Sequence, residues 1–231
     1  WMIERIRRLL WPKKIRHPRL LRPDYVGRHS GRPFLVLGSA SSIGTHSSVI
    51  QRFVLETHPI VLAANYPPEY IAVDYVGFCN RRRFCTYAER ARGIAVLGLL
   101  VDPHIPSQLV GNVLESYFRW ERMPYRAEQE TFTIKDGIVG CDCGQTGILL
   151  MAVAFVMGAT EIWAAGFDGY DNPAEHHWYE EPDFPLARLR QLEGRVKVVL
   201  PQMRDYFAAH GVGGPWLLTP STAYPEFYRG T

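Results

Sequence analysis

No stretch of this 231-residue chain approaches the roughly 18 consecutive apolar residues that a membrane-spanning helix needs. No apolar h-region of a secretory signal is visible either, and the expectation is a body on the cytoplasmic side. Familiar phosphate-binding signatures are missing as well. The loop Gly38-Ser39-Ala40-Ser41-Ser42-Ile43-Gly44 lacks the Gly-Lys-Ser/Thr ending of a P-loop and the G-x-G-x-x-G of a dinucleotide site. The second strand closes on Asn65, where a ribose-binding Asp or Glu would stand, which disfavours a nicotinamide-dependent enzyme. Cysteine is sparse: Cys79, Cys85, Cys141 and Cys143 are spaced C-x5-C and C-x-C, neither a zinc ribbon nor a redox C-x-x-C, so reduced thiols are expected. With no D-x-D pair and no tetrahedral Cys/His set, no metal ligands are assigned.

What is present is ordinary globular composition, 47% hydrophobic and 21% charged, enough for one domain with a sizeable core. The net charge of +3 is small but unevenly placed, since ten of the 26 Lys and Arg fall within residues 1–32. Residues 1–12 set Trp1, Ile3, Ile6, Leu9 and Leu10 against Arg5, Arg7 and Arg8, a basic amphipathic helix that suits an anionic membrane surface or a neighbouring domain. Residues 13–32 are basic and Pro-containing and are expected to be an extended connector. The chain begins at Trp1, and the expectation is a piece of a longer polypeptide, with an attached enzyme domain as a partner.

From Pro33 to the end, strand and helix patterns alternate, which predicts a single α/β domain over 33–231 with a Rossmann-like parallel sheet, a GT-A-like variant, and a mobile lid. Strands are expected near 34–38, 60–64, 73–78, 94–98, 161–166 and 215–219, and helices near 46–57, 106–119, 145–157 and 201–210. Gly158 and Gly211 stand where C′ glycines end helices, and Pro201 suits a first helical turn. Residues 171–192, rich in Pro, His, Trp, Tyr and acids, lack a period and are the expected lid.

Ligands of open α/β sheets bind outside the carboxyl ends of the strands, so residues at those ends are the candidates. Gly38, Ser39, Ala40, Ser41 and Ser42 form either an anion loop or a plain tight turn. Asn65 and Asn80 place amides at the ends of consecutive strands, where they can read a base, a ribose or a sugar hydroxyl. Arg81, Arg82 and Arg83 follow, of which Arg83 is assigned to a phosphate or carboxylate. Thr146, before Gly147, stands where it can cap the most apolar helix and free its N–H groups for an anion. Gly166, Phe167, Asp168, Gly169 and Tyr170 form the acidic, aromatic turn after the fifth strand. His176 and His177, with Glu180 and Glu181, bring imidazoles and carboxylates into the lid, as a general base, a substrate contact, a metal pair or a plain surface loop.

Taken in order, these residues resemble the bacterial sialyltransferases of glycosyltransferase family 42, which use CMP-activated sialic acid. The family's Gly-Asn-Gly-Pro-Ser loop is matched in position by Gly38–Ser42, its strand-end Asn residues by Asn65 and Asn80, and its Thr-Ser-Gly turn by Gln145-Thr146-Gly147. Its Leu-Gly-x-x-Glu-Ile-Tyr strand and Gly-Ile-Asp-Phe-Tyr turn are matched by Met157–Trp163 and Gly166–Tyr170, and a C-terminal Pro-Ser by Pro220-Ser221. The resemblance runs from 33 to 222, and AGFDGY is also similar to a sialyltransferase-like domain attached to aldolase-like domains in polysaccharide gene clusters.

The resemblance implies a CMP-sugar-dependent glycosyltransferase that moves a sialic-acid-like or other keto-acid sugar to a surface glycan acceptor. It implies a donor site lined by the strand-end residues named above, no cofactor beyond the CMP-sugar, no obligatory cation and no nucleic-acid partner. The catalytic candidates are His176, His177 and Asp168; Glu193 stands at the offset where the family carries its base. The basic N-terminus would place the chain peripherally at the inner face of the plasma membrane. The alternative is a catalytically silent nucleotide- or glycan-binding domain of a larger polysaccharide-synthesis protein.

Overall fold

The computed structural model describes residues 25–92, 94–106, 108–110, 120–122, 125–126, 132–141, 144–170 and 186–230. Alternation along its strands sorts the core into two layers. In β1 (Arg32–Leu37), Phe34 and Val36 enter one hydrophobic cluster, while Leu35 and Leu37 enter the other. β2 (Ile60–Ala64) is buried throughout and divides in the same way, while β3 (Val73–Phe78) sends Tyr75 to the first cluster and Val73, Val76 and Phe78 to the second. Strands buried on both faces are what a parallel sheet covered by helices requires.

The chain continues through β4 (Ala95–Val101) and β5 (Trp120–Arg122), and later adds β9 (Ala159–Ala165) and β10 (Gly213–Leu217). The seven strands pair in the order β10-β9-β1-β2-β3-β4-β5, every pair parallel. Order therefore reverses at β1, where β2 lies on one side and the late β9 on the other. That reversal opens a crevice at the carboxyl ends, the position ligands occupy in doubly wound folds. The expected Rossmann-like sheet is present, with one more strand, β5, than the sequence pattern predicts. A three-stranded sheet of β6 (Tyr125–Arg126), β7 (Thr133–Lys135) and β8 (Ile138–Gly140) stands beside it.

Two layers of helix cover the sheet. α1 (Ser42–Thr45) and α2 (Ser47–Thr57) follow β1, and α3 (Arg81–Arg92) follows β3, placing Ile50, Phe53, Phe84, Tyr87, Ala88 and Ala91 in one cluster. On the other face α4 (Thr146–Val156) is buried on nearly every side, which explains its unbroken apolar sequence. α5 (Leu186–Ala209) packs beside it through Val196, Val199, Leu200, Met203 and Phe207.

Several boundaries differ from those expected. The last helix begins at Leu186, so Pro201 lies inside it and not in its first turn. Residues 186–192 of the expected lid are helical, and 171–185, with His176 and His177, lie outside the described residues. Residues 25–31, expected in the connector, belong to the fold: Tyr25 is buried, and Gly27, His29 and Gly31 donate backbone N–H groups to Val156, Met157 and Gly158 at the end of α4. The predicted N-terminal helix falls among residues 1–24, outside the described residues. Of the helix expected over 106–119, residues 106 and 108–110 are described, and 108–110 are helical. Gly158 and Gly211 have φ of 92° and 75°, as C′ glycines should. Among the described residues, no helix is long and apolar enough to cross a membrane.

Candidate functional site

The ends of β1 and β9 touch directly. Gly38 donates its N–H to Ala165 (2.7 Å), and a side chain at residue 38 would overlap the Gly166 carbonyl oxygen. Gly166, at φ 78°, in turn leaves room for Ile43. Small residues here serve close backbone approach, which joins the two strand ends into one cleft wall.

The polar atoms of that wall bond one another. Asp168 Oδ2 accepts the Ser42 N–H at 2.9 Å and lies 3.4 Å from Ser41 Oγ, while Asp168 Oδ1 accepts the Ser42 hydroxyl. The Ser42 and Thr219 hydroxyls are 3.1 Å apart, and Gly166 N–H donates to Thr219 Oγ1 at 3.0 Å. A hydroxyl has one proton, so with Ser42 donating to the carboxylate, Thr219 donates to Ser42. The result is a chain running from Gly166 through Thr219 and Ser42 to Asp168. On the far side of α1, Tyr70 donates to the Ile43 carbonyl at 2.6 Å, and burial pushes its phenol above the usual range, which keeps that donor proton in place.

This geometry revises two expectations. Ser41 and Ser42 were candidates for a ligand-binding loop, yet the Ser42 N–H and hydroxyl are already bound by Asp168, and neither serine lines the cleft. Asp168 was a catalytic and donor-binding candidate; it does line the cleft, but its carboxylate acts as the cap of α1.

The opposite wall comes from β2, β3 and the start of α4. Asn65 is 5% exposed and takes a left-handed φ of 62°, a conformation Asn tolerates better than most residues. Thr146 Oγ1 lies 3.4 Å from Asn65 Oδ1 and 2.8 Å from Cys79 Sγ. Thr146 is thus the first helical residue and not the cap: Gln145 holds that position, with no side-chain cap bond, and its Nε2 reaches Tyr170 Oη at 3.3 Å. Asn80 Oδ1 accepts the N–H groups of Arg82 (2.8 Å) and Arg83 (3.3 Å), so it caps α3 and presents its amide N–H groups as donors. Gly147 is required for packing, because a side chain there would strike the Phe167 ring.

Together these residues line a cleft open to solvent, with an internal volume of about 100 Å³. Of the sequence candidates it gathers Gly38, Ser39, Ala40, Asn65, Asn80, Arg83, Thr146, Gly147, Gly166, Phe167, Asp168 and Tyr170. It also takes in Cys79, Gln145, Leu189, Leu192 and Tyr224, of which the two leucines arrive only because α5 starts early. Glu193 is 6% exposed; its carboxylate accepts the Tyr170 N–H at 3.0 Å and pairs with Lys197 Nζ at 2.5 Å. It anchors the Tyr170 turn to α5. No group of three or more metal-ligating side chains gathers among the described residues.

No protein-family model matches the chain, and no match was found among curated proteins. Among solved structures it is similar to the sialyltransferase CstII from Campylobacter jejuni, determined in complex with a substrate analogue, cytidine-5'-monophosphate. The superposition has a TM-score of 0.52 at 13% identity and covers 87% of this chain and 85% of that chain. The chain therefore has a sialyltransferase-like, Rossmann-like fold.

Proposed function

We propose that the chain is a CMP-sugar-dependent glycosyltransferase acting on a sialic-acid-like or related keto-acid sugar, with a glycan hydroxyl as acceptor. One observation supports this reading above others. Of the residues that carry the sequence resemblance, Gly38–Ala40, Asn65, Asn80, Gln145–Gly147 and Gly166–Tyr170 converge on a single cleft at the point where strand order reverses. In this reaction the acceptor oxygen attacks the anomeric carbon, the bond from that carbon to the phosphate oxygen breaks, and CMP leaves with the electron pair. The start of α4, where the N-cap residue Gln145 makes no side-chain cap bond, and the Arg83 guanidinium supply positive potential for that phosphate. Donors of this kind stabilise a leaving group without a cation, so the reading includes turnover that survives chelation.

A thermal-shift comparison of CMP, CDP, UDP, GDP and NAD tests the reading, because a ligand of the native state raises the melting temperature by mass action. Cytidine nucleotides are expected to stabilise and the others not; a response to NAD alone would overturn it. One observation favours the second reading, a silent binding domain. Among the described residues the cleft lining holds one carboxylate, Asp168, which is engaged by Ser42, and no imidazole.

A further inference from the structure

One side chain of α5 belongs to two hollows at once. Leu192, half-buried, lines the cleft together with Leu189, which lies one turn earlier on the same face of the helix. It also lines a second hollow, of about 490 Å³, whose other described lining residues are Ala187, Arg188, Gln191 and Arg195. The cleft itself has about 100 Å³. The larger space therefore adjoins the smaller one at a single leucine.

Contacts place that leucine beside the start of α4. A Cβ at Gly144 would come within 2.7 Å of Leu192 Cδ2, so the Leu192 methyl group rests on the backbone one residue before the N-cap Gln145. In the proposed reaction the start of α4 receives the donor phosphate. The anomeric carbon is joined to that phosphorus through one bridging oxygen, so the sugar meets the side chains that flank the helix start, Leu192 among them.

A leucine in this position restricts what the sugar can carry. It offers no hydrogen bond, and a polar substituent pressed against it loses water without gaining a partner. The two kinds of keto-acid sugar differ in such substituents. The nine-carbon sugar bears an acetamido group and a three-carbon side chain, where the eight-carbon sugar bears a hydroxyl and a two-carbon one.

We infer that Leu192 sets the size of the donor sugar and that the donor belongs to the smaller, eight-carbon class. Leu192 separates the cleft from the neighbouring hollow, and removing its branched end joins the two spaces, so that a bulkier substituent finds room. The inference rests on the transferase reading.

The test is calorimetric titration of the full chain with CMP and with hydrolysis-resistant 3-fluoro analogues of the two CMP-sugars, a measurement that needs no acceptor. The unmodified chain is expected to bind the eight-carbon analogue about tenfold more tightly than the nine-carbon one, the discrimination that a shaped apolar contact supplies. In Leu192→Ala the two analogues should bind alike, through a gain for the nine-carbon analogue, while affinity for CMP stays that of the parent. A general loss of structure would weaken all three ligands together and would not move their ratio. Leu192→Met, which conserves volume, should keep the preference and covers the case in which the Ala variant does not fold.

Equal binding of the two analogues by the unmodified chain, a preference for the nine-carbon one, or an unchanged ratio in Leu192→Ala overturns the assignment of Leu192 and leaves the transferase reading intact. A chain that binds CMP but neither analogue overturns both. A chain that does not bind CMP removes the donor site itself.

Discussion

On the β1–β9 side of the cleft, Ser42, Asp168 and Thr219 are bonded to one another, and Asp168 reaches Ser42 across 126 residues of sequence. On the β2–β3 side, Thr146 Oγ1 lies 2.8 Å from Cys79 Sγ and 3.4 Å from Asn65 Oδ1, Asn80 keeps its amide N–H groups available, and the N-cap residue of α4, Gln145, makes no side-chain cap bond. Both walls are built from small and polar residues at strand ends, so composition does not separate them. The difference is whether each polar atom already has a strong partner inside the protein. A satisfied group stabilises the fold, and an incompletely satisfied one at a cleft is available to a ligand. The first wall is therefore a structural clamp, and the second is the one to which the proposed function assigns the nucleotide.

The sharpest way to break this comparison is Gly38→Ala. The added methyl meets the Gly166 backbone, which cannot rotate away, so a loss of about 3 kcal/mol in denaturant unfolding is expected. A variant as stable as the parent would show that the two strand ends are not in contact. Next in size is Asp168→Ala, which removes the charge-assisted bonds to Ser42 and should cost about 2 kcal/mol of stability. Ser42→Ala should likewise lower stability while leaving CMP affinity unchanged, and a large affinity loss there would place Ser42 on the ligand side after all.

Smaller effects are expected on the other wall, and on binding. Thr146→Val should weaken CMP about tenfold in calorimetric titration with little change in stability, the equivalent of about one hydrogen bond. Asn65→Gly and Asn65→Ala should weaken CMP alike. The Ala variant should be about 1 kcal/mol less stable than the Gly variant, because residue 65 is left-handed. Equal stability would mean that this backbone strain is relieved elsewhere.

The smallest effect belongs to neither wall and serves as a control. His29 sits at the amino end of the sheet, its Nε2 3.1 Å from Tyr75 Oη, and burial holds its pKa below the ordinary 6.5, against an opposing pull from Asp74. A histidine that resists protonation when folded contributes stability that is present above its unfolded pKa and lost as pH falls through the lower folded value. Melting temperature should therefore decline slightly below about pH 6.5, and His29→Phe should flatten that decline without altering CMP affinity at any pH. A His29-dependent change in CMP binding would tie the two ends of the sheet together.

Much of the architecture was readable because it follows local rules. The alternating apolar residues of β1, the continuous apolar run of α4 and the glycines at 158 and 211 each state their structure within a few residues. Two elements were readable and overlooked. Phe84, Tyr87, Ala88 and Ala91 have the helical spacing that forms α3, and Asp136-Gly137, at φ 53° and 73°, is a standard two-residue hairpin turn between β7 and β8. Pro201 was misleading for a physical reason: apolar positions at helical spacing run through it from Leu189 to Phe207, and packing against α4 outweighs the one backbone bond that proline removes.

The candidate site was only half readable. Strand-end positions can be named from sequence, which is why the cleft contains most of the expected residues. Their roles cannot be named in the same way. Asp168 became a cap, Asn80 a helix start and Gly147 a packing position because of neighbours supplied by other elements.

The amino-acid sequence by itself determined the kinds of element, the two-faced burial of the strands and the turns that need glycine, because these depend on periodicity and on dihedral preferences of single residues. Tertiary structure alone decided that β9 enters beside β1, and hence which carboxylate meets which hydroxyl. Hydrogen bonds form only within about 3 Å, and which residues come that close is set by strand order, a property of the whole chain and of no segment within it.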